Sequence, residues 1–330
     1  LNLAIVFLAI CSTQVLVAQS RTRNAPAPAG LMASLPQSDA VAQVKIRQLL
    51  SEAMPRILAN NPAKLAEVNT SIEAFKTRTG LDPRMFDQVA LGIQFKHPAA
   101  GVTQADTVAL AKGEFSPAAM IAAGRIASNG NYREEKYHDK NIYVFKLTEN
   151  VRLLGVFDFR ITELAAAPLD GNVLALGGLA GVRAAIDAGR QRKRGQNADL
   201  IALANRDPNA LIGFGSNMSE QLIGNLDIGN APIATELSRL RQVYGSVGAT
   251  EKDLEVFLAA RAVNADAARS LGDTLEGLKQ LGSFFVGRLS GARGVLAKSA
   301  LANLKIATTA NELHIRTAIP QADVGPLMGN

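Results

Sequence analysis

Residues 87–95 read DQVALGIQF and residues 107–115 read TVALAKGEF, and a turn from Pro98 to Gly101 lies between them. Both segments are apolar and rich in branched side chains, which is typical of β-strands. Two such strands joined by a turn predict an antiparallel hairpin. Residues 132–137 and 142–147, on either side of turn-forming residues at 139–141, predict a second one.

Strands and helices alternate along the rest of the chain. Further strands are predicted at residues 39–46, 153–164, 173–176, 210–214, 242–249, 254–263, 305–309 and 313–319, and helices at 47–60, 62–79, 116–127, 180–189 and 265–289. The second part repeats the order of the first. We therefore predict an α+β fold of two related halves of antiparallel sheet, residues 35–168 and 169–330, with helices packed on one face.

The helix predicted at residues 265–289 has one apolar stripe. The stripe contains Ala267, Ala268, Leu271, Leu275, Leu278, Gly282, Phe285 and Leu289, and the opposite side carries Asp266, Arg269, Asp273, Glu276 and Gln280. Four glycines in this segment each weaken the helix by about 1 kcal/mol relative to alanine, so it depends on packing. We expect the whole stripe to be buried against the C-terminal sheet.

The first twenty residues indicate export. Leu1 to Ser20 carry no charge, and the small residues Val17 and Ala18 are typical of a signal-peptide cleavage site. The apolar run at residues 3–10 is shorter than the about 20 residues of a membrane-spanning helix, so no transmembrane anchor is expected after cleavage. Residues 21–34 have the composition of a flexible linker. The predicted localisation is periplasmic or extracellular.

Cys11 is the single cysteine and lies in the segment predicted to be removed. Lipoprotein anchoring through Cys11 is disfavoured because the preceding Ile10 is large, whereas lipidation signals have a small residue there. The remaining chain can form neither a disulfide nor a cysteine metal site. The net charge of +6 is mild for this length and does not indicate nucleic acid as a partner. A basic cluster at residues 190–194 is interpreted as a solvated helix end.

One glycine-rich turn is a candidate anion site. Gly177, Gly178 and Gly181 lie between a predicted strand and a predicted helix, where free backbone N–H groups can hold a phosphate or carboxylate. The turn matches neither a dinucleotide-binding fingerprint nor a P-loop. The alternative is a tight turn in which glycine avoids a steric conflict.

No motif predicts catalytic, cofactor-binding or metal-binding residues. His97, His138 and His314 lie in separate segments, without the helical spacing of a zinc site. Glu134 and Glu135 are neighbours on a predicted strand, so their side chains point to opposite faces and cannot share a substrate atom. Serine nucleophile motifs are missing from the sequence.

Four short segments resemble uncharacterised exported α+β proteins of bacteria. The segments are Leu35-Pro36 with Asp39, Gly80 to Pro83, Gly113 to Ser116 and Leu174 to Gly177. The resemblance covers residues 35–320 and implies export and a two-part α+β architecture. It transfers no activity and no site residues.

These observations favour an exported, non-catalytic protein that binds a protein partner or an apolar ligand in the cell envelope. One alternative is an exported enzyme with a dispersed active site, which requires a cleft where ionisable groups converge. Another is a lipid-handling protein, which requires an apolar tunnel between helices and sheet.

Overall fold

The computed structural model describes residues 30–79, 82–99, 102–146, 151–153, 157–159, 163–169, 171–191, 197–224 and 231–324. The predicted signal peptide, Cys11 and most of the predicted linker lie outside these residues. So do residues 192–194 of the basic cluster.

Fourteen strands are found in the described residues. They are β1 (Ala40–Val44), β2 (Phe86–Ala99), β3 (Val102–Gly113), β4 (Tyr132–Tyr137), β5 (Lys140–Lys146), β6 (Val151–Leu153), β7 (Phe157–Phe159), β8 (Glu163–Pro168), β9 (Val173–Gly177), β10 (Ile212–Asn217), β11 (Leu240–Ala249), β12 (Asp253–Ala262), β13 (Lys305–Thr309) and β14 (Glu312–Pro320). The two hairpins predicted from residues 87–115 and 132–147 are confirmed as β2–β3 and β4–β5.

The α-helices of the described residues are α1 (Ile46–Gln48), α2 (Met54–Ile57), α3 (Pro62–Thr79), α4 (Pro117–Ala127), α5 (Leu179–Gln191), α6 (Ala198–Ala204), α7 (Glu220–Gly224), α8 (Ala231–Ser238), α9 (Ala265–Val286), α10 (Gly291–Ala302) and α11 (Gln321–Val324). A π-helical turn at Leu49–Ala53 joins α1 to α2. The side chain of Asn264 begins α9 by accepting a hydrogen bond from the Ala267 N–H at 2.8 Å.

Twelve of the described strands form one open sheet in the order β13-β14-β12-β11-β10-β1-β2-β3-β9-β8-β5-β4, and all neighbouring pairs are antiparallel. The α+β class and the antiparallel sheet are therefore confirmed. The strand order β1-β2-β3-β9-β8 can be compared with β10-β11-β12-β14-β13, while β5 and β4 have no counterpart on the other side. The relation between the two halves stays a prediction. The division at residues 168 and 169 stays a prediction, and it falls between the paired strands β8 and β9.

Helices cover both faces of this sheet, whereas the sequence predicted helices on one face only. Successive residues of β3 point to opposite faces. Leu110 packs in a buried cluster with Val182 of α5, whereas Ala111 packs in another with Ile121 of α4. The physical reason is that β3, β8 and β9 are apolar at successive positions, so both of their faces require cover.

The C-terminal half has its main helical layer on the α4 side. There α9 lies over β12, β14 and β13, and Ala267, Ala268 and Leu271 share a buried cluster with Ala260 and Leu313. On the opposite side, the covering helix α6 packs with Val41 and Tyr244. Beyond Tyr244 this second face carries a group of charged and aromatic side chains.

Candidate binding surface

The glycine-rich turn joins β9 to α5, as predicted. Gly177 has φ +148°, and a Cβ there would lie 2.4 Å from the Thr107 carbonyl oxygen. A Cβ at Gly181 would lie 2.8 Å from the same oxygen. Glycine at these two positions thus allows the start of α5 to pack closely on β3. An anion site at Gly177, Gly178 and Gly181 stays a prediction.

Beside this turn lies a cleft of about 110 Å³, lined in part by Gly181 and by the ion pair of Lys96 with Asp106. A second cleft, of about 30 Å³, lies next to Lys45 and Pro208. Pockets for drug-sized ligands have volumes of about 300–1,000 Å³. Neither cleft has the volume to enclose a lipid chain.

The neighbouring carboxylates of β4 point to opposite faces of the sheet, as predicted. Glu134 accepts a hydrogen bond from Arg125 of α4 at 2.8 Å. Glu135 accepts hydrogen bonds from Arg183 of α5. Their partners are arginines from the two helical layers rather than the lysines of the same hairpin. Both carboxylates therefore connect helices to the sheet.

The three histidines also lie apart. His138 Nε2 lies 3.0 Å from Asp187 Oδ1, His314 Nε2 lies 3.0 Å from Glu312 Oε2, and His97 Nδ1 lies 3.2 Å from the Thr103 hydroxyl. In the part of the chain that the structure describes, no three His, Cys, Asp or Glu side chains come together in a way that could hold a metal ion.

Glu312 is the centre of a polar cluster that sequence reasoning did not find. Its carboxylate accepts hydrogen bonds from Arg261 at 2.8 and 3.1 Å and from Arg206 at 3.1 Å. Arg206 also donates to the hydroxyl of Tyr244, and Arg261 donates to Gln242 at 2.6 Å. These residues are far apart in sequence and meet only because β11, β12 and β14 are neighbours. No local spacing in the sequence could have indicated the cluster.

The electrostatics of this cluster favour the ionised carboxylate. Burial by itself raises the pKa of Glu312, but hydrogen bonds from Arg261 and His314 outweigh it and lower the pKa to about 2. Burial raises the pKa of Tyr244 to about 12, and the nearby Glu312 carboxylate adds to that shift. The Glu312 carboxylate is thus engaged by its own protein, and its geometry is that of a structural ion pair.

The two ends of α9 lie in different surroundings. Near its start, Leu271 is buried, and a Cβ at Gly272 would lie 2.8 Å from Thr308 of β13. One turn further on, Leu275 packs against the same buried cluster as Ile306 of β13, and β13 is the last strand on this side of the sheet. The helix has 22 residues and is about 33 Å long at 1.5 Å per residue. Its second half therefore projects past the sheet edge.

Six large apolar side chains between the second half of α9 and the first half of α10 are exposed. Phe284 is 75% and Phe285 is 63% exposed. We call the six residues the tip cluster; they are Leu278, Leu281, Phe284, Phe285, Leu289 and Val295. The prediction that the whole stripe is buried is thus wrong for Leu278, Phe285 and Leu289, because the sheet ends before they are reached. Periodicity identified their face of the helix but not the edge of the sheet.

Glycines close the turn between α9 and α10. Gly291 has φ +68°, and a Cβ at Gly294 would lie 2.4 Å from the Leu289 carbonyl oxygen. Further back, Gly282 faces Leu301 of α10 at a Cβ distance of 3.7 Å. The two helices therefore form a compact hairpin that presents the tip cluster at its end.

Charge is distributed unevenly along this hairpin. Residues 265–276 of α9 contain Asp266, Asp273 and Glu276, with Arg269 as their single cation. From Gly277 to Asn311 the sequence contains no Asp or Glu, and its charged residues are Lys279, Arg288, Arg293, Lys298 and Lys305. Arg288 and Lys298 are exposed. Within this stretch the tip cluster is thus accompanied by cations only, a signal that was present in the sequence, and Lys279 pairs with Glu276 just before it at 3.5 Å.

Among the described residues, no helix has both the length and the apolar character needed to cross a membrane. No family model and no curated protein matches the chain. Similar solved structures include three crystal forms of TP0453. Crystal form III is 11% identical to this chain, with a TM-score of 0.41, and the match covers 91% of this chain and 98% of that one. Crystal form I is 8% identical, with a TM-score of 0.41, and the match covers 91% of this chain and 96% of that one. Crystal form IV is 12% identical, with a TM-score of 0.42, and the match covers 91% of this chain and 96% of that one.

Proposed function

We propose that this chain is an exported, non-catalytic binding protein that attaches to its partner in the cell envelope through the tip cluster. The observation that carries the proposal is the concentration of exposed apolar side chains at the end of the α9–α10 hairpin. Of the ten large apolar side chains exposed in the described residues, six belong to this cluster and the other four are scattered. Contiguous apolar surface of this kind marks interaction sites.

Export is supported by the uncharged apolar segment Leu1 to Ser20 and the small residues Val17 and Ala18. Binding rather than catalysis is supported by the polar cluster around Glu312, whose carboxylate is satisfied within the protein. The two small clefts favour an exposed binding surface over an enclosed ligand site.

The test is expression of the full chain in a bacterial host, followed by separation of cytosol, periplasm and membranes. We expect a mature protein beginning near residue 19 and recovered with the membranes. The double variant Phe284→Ser/Phe285→Ser should move to the periplasmic fraction. The matched control is Ile126→Ser, an exposed apolar residue on α4, which should fractionate like the unchanged protein. Intact Leu1 in the cytosol, or equal fractionation of both variants, would contradict the proposal.

A further inference from the structure

We infer that the partner of the tip cluster is an anionic lipid surface, on which the end of the α9–α10 hairpin rests while the sheet stays outside. This inference rests on the proposed function and names the partner of the same surface. It follows from the shape of the tip, from its charge and from the way the hairpin is joined to the sheet.

The apolar side chains of the tip project outward. Phe284 and Phe285 are the two most exposed large apolar side chains of the described residues. A binding groove for a small apolar ligand has the opposite shape, since it surrounds the ligand with the protein. A projecting group of Phe and Leu side chains at the end of two helices instead suits shallow insertion among lipid headgroups and upper acyl chains, to a depth of about 5–10 Å.

The charge next to the tip complements an anionic surface. The exposed Arg288 lies in the turn that follows α9, four residues after Phe284, and the exposed Lys298 lies on α10. The acid-free stretch that begins at Gly277 brings no carboxylate into the same region of the sequence. Each Lys or Arg close to an anionic membrane adds about 1 kcal/mol of attraction. Apolar insertion and cation attraction would therefore act at one place.

The same charge argues against a second copy of this chain as the partner. Two tips meeting about a twofold axis would bring Arg288 and Lys298 of one copy close to the same cations of the other. Like charges in an interface oppose association. An anionic bilayer has no such conflict.

Attachment to the fold keeps the tip in place. The first half of α9 is held by a buried cluster with Leu313, and Ala300 of α10 is buried against β14. In addition, the Asn303 amide donates to the Ala318 carbonyl at 2.9 Å. The hairpin therefore needs no large rearrangement to present its apolar end, which limits the ordering cost of binding.

The experiment is co-sedimentation of the purified mature protein with vesicles. One set contains phosphatidylethanolamine with about 30% phosphatidylglycerol, a composition chosen to give a negative surface potential. The other contains phosphatidylcholine alone. We expect at least about tenfold stronger partition to the anionic vesicles, and weakening by added salt as the Debye length falls from about 10 Å at 0.1 M to about 3 Å at 1 M.

Two double variants separate the apolar and the electrostatic contributions. Phe284→Ser/Phe285→Ser should reduce partition to the anionic vesicles at least about tenfold, because two inserted rings are lost. Arg288→Gln/Lys298→Gln should reduce it about 10- to 30-fold. The matched control Lys136→Gln/Arg269→Gln removes two exposed cations away from the tip and should bind like the unchanged protein.

The outcomes distinguish this inference from the proposed function. If the phenylalanine variant leaves the membrane fraction in cells but the unchanged protein ignores vesicles, the partner is an envelope protein and the lipid inference is overturned. Equal binding to both vesicle types, or equal effects of the two charge variants, also overturns it. A dimer in sedimentation equilibrium that Phe284→Ser/Phe285→Ser converts to a monomer, without vesicle binding, would assign the tip to a second copy. If that variant behaves as wild type in cells and on vesicles, both proposals fail.

Discussion

The first and second halves of α9 share one apolar stripe but have opposite surroundings. Leu271 in the first half is buried against the sheet, with an exposed fraction of 6%, whereas Leu281 in the second half is 58% exposed. Both lie in the same helix, so helix propensity does not explain the difference. The position of the sheet edge explains the difference in burial, because β13 is the last strand of the sheet on that side. Amphipathic periodicity therefore shows where a helix is apolar, and the extent of the neighbouring layer decides whether that side is buried.

The largest difference between the halves should appear when leucines are truncated. Leu271→Ala removes a side chain from a buried cluster and should lower the free energy of unfolding by about 2–5 kcal/mol. Leu281→Ala should change it by less than about 0.5 kcal/mol. Urea titrations followed by circular dichroism measure both values. Equal losses would show that the second half of α9 is also packed in solution, which would remove the basis of the comparison.

The stability of the sheet under the first half of α9 should depend on pH, because Glu312 titrates there. The pKa of this carboxyl is lowered from 4.5 to about 2 in the folded protein. Its ionised form therefore stabilises the fold above pH 4.5, and this contribution is lost as the pH falls from 4.5 to 2. At 1.36 kcal/mol per pKa unit it amounts to about 3 kcal/mol.

The measurement is the free energy of unfolding at pH 6 and pH 2.5. In Glu312→Gln the loss between the two pH values should be smaller than in the unchanged protein. Asp82, whose pKa is lowered to about 2 by hydrogen bonds from Arg84, contributes equally to both proteins, so the difference isolates Glu312. A parallel decline in the two proteins would show that the carboxylate does not stabilise this part of the sheet.

Two glycines of α9 give a matched pair with an effect of about 1 kcal/mol. No atom lies within 4 Å of a Cβ placed at Gly277, so Gly277→Ala should stabilise the protein by about 0.5–1 kcal/mol through helix propensity. At Gly272 the Cβ would lie 2.8 Å from Thr308 Oγ1. In Gly272→Ala this close contact should cancel the stabilisation from helix propensity, and the variant should be less stable than the unchanged protein by up to about 1 kcal/mol. Thermal unfolding of the two variants measures the sign, and identical shifts would contradict the close approach of α9 to β13.

The smallest stability effect is expected at the tip. Phe284→Ser removes a side chain that is 75% exposed and should change the free energy of unfolding by less than about 0.5 kcal/mol. It should also reduce the fluorescence of a dye that binds exposed apolar surface. A loss of stability similar to that of Leu271→Ala would mean that Phe284 is packed inside the protein.

Much of the fold could be predicted because its hairpins are local. The segments 87–115 and 132–147 contain both strands and the turn between them, and the structure confirms both hairpins. Helices α6, α7, α8, α10 and α11 were not predicted. The cover on both faces was also missed, although the uninterrupted apolar run from Val108 to Ala111 is typical of a strand buried on both sides.

The candidate surface was predicted only in part, for a different reason. The stripe that contains Phe285 was recognised, but its exposure depends on the end of the sheet, which is a property of tertiary structure. The Glu312 cluster depends on the order of β11, β12 and β14 and on the position of Arg206 after α6. Only the lack of acidic residues after Glu276 could have directed attention to the tip from sequence alone.

The pairing of β1 with β10 has a consequence for the order of folding. Ala40 lies opposite Ser216, so the two strands at the centre of the sheet come from distant parts of the chain. During synthesis from the N-terminus, β1 can pair with β2 long before β10 exists, and its other edge then has no partner. Unpaired edges promote association between chains. Closing so long a loop is entropically costly and slows this step. The edge of β1 that faces β10 therefore stays unprotected until β10 has been made, and a chain truncated before residue 212 should aggregate.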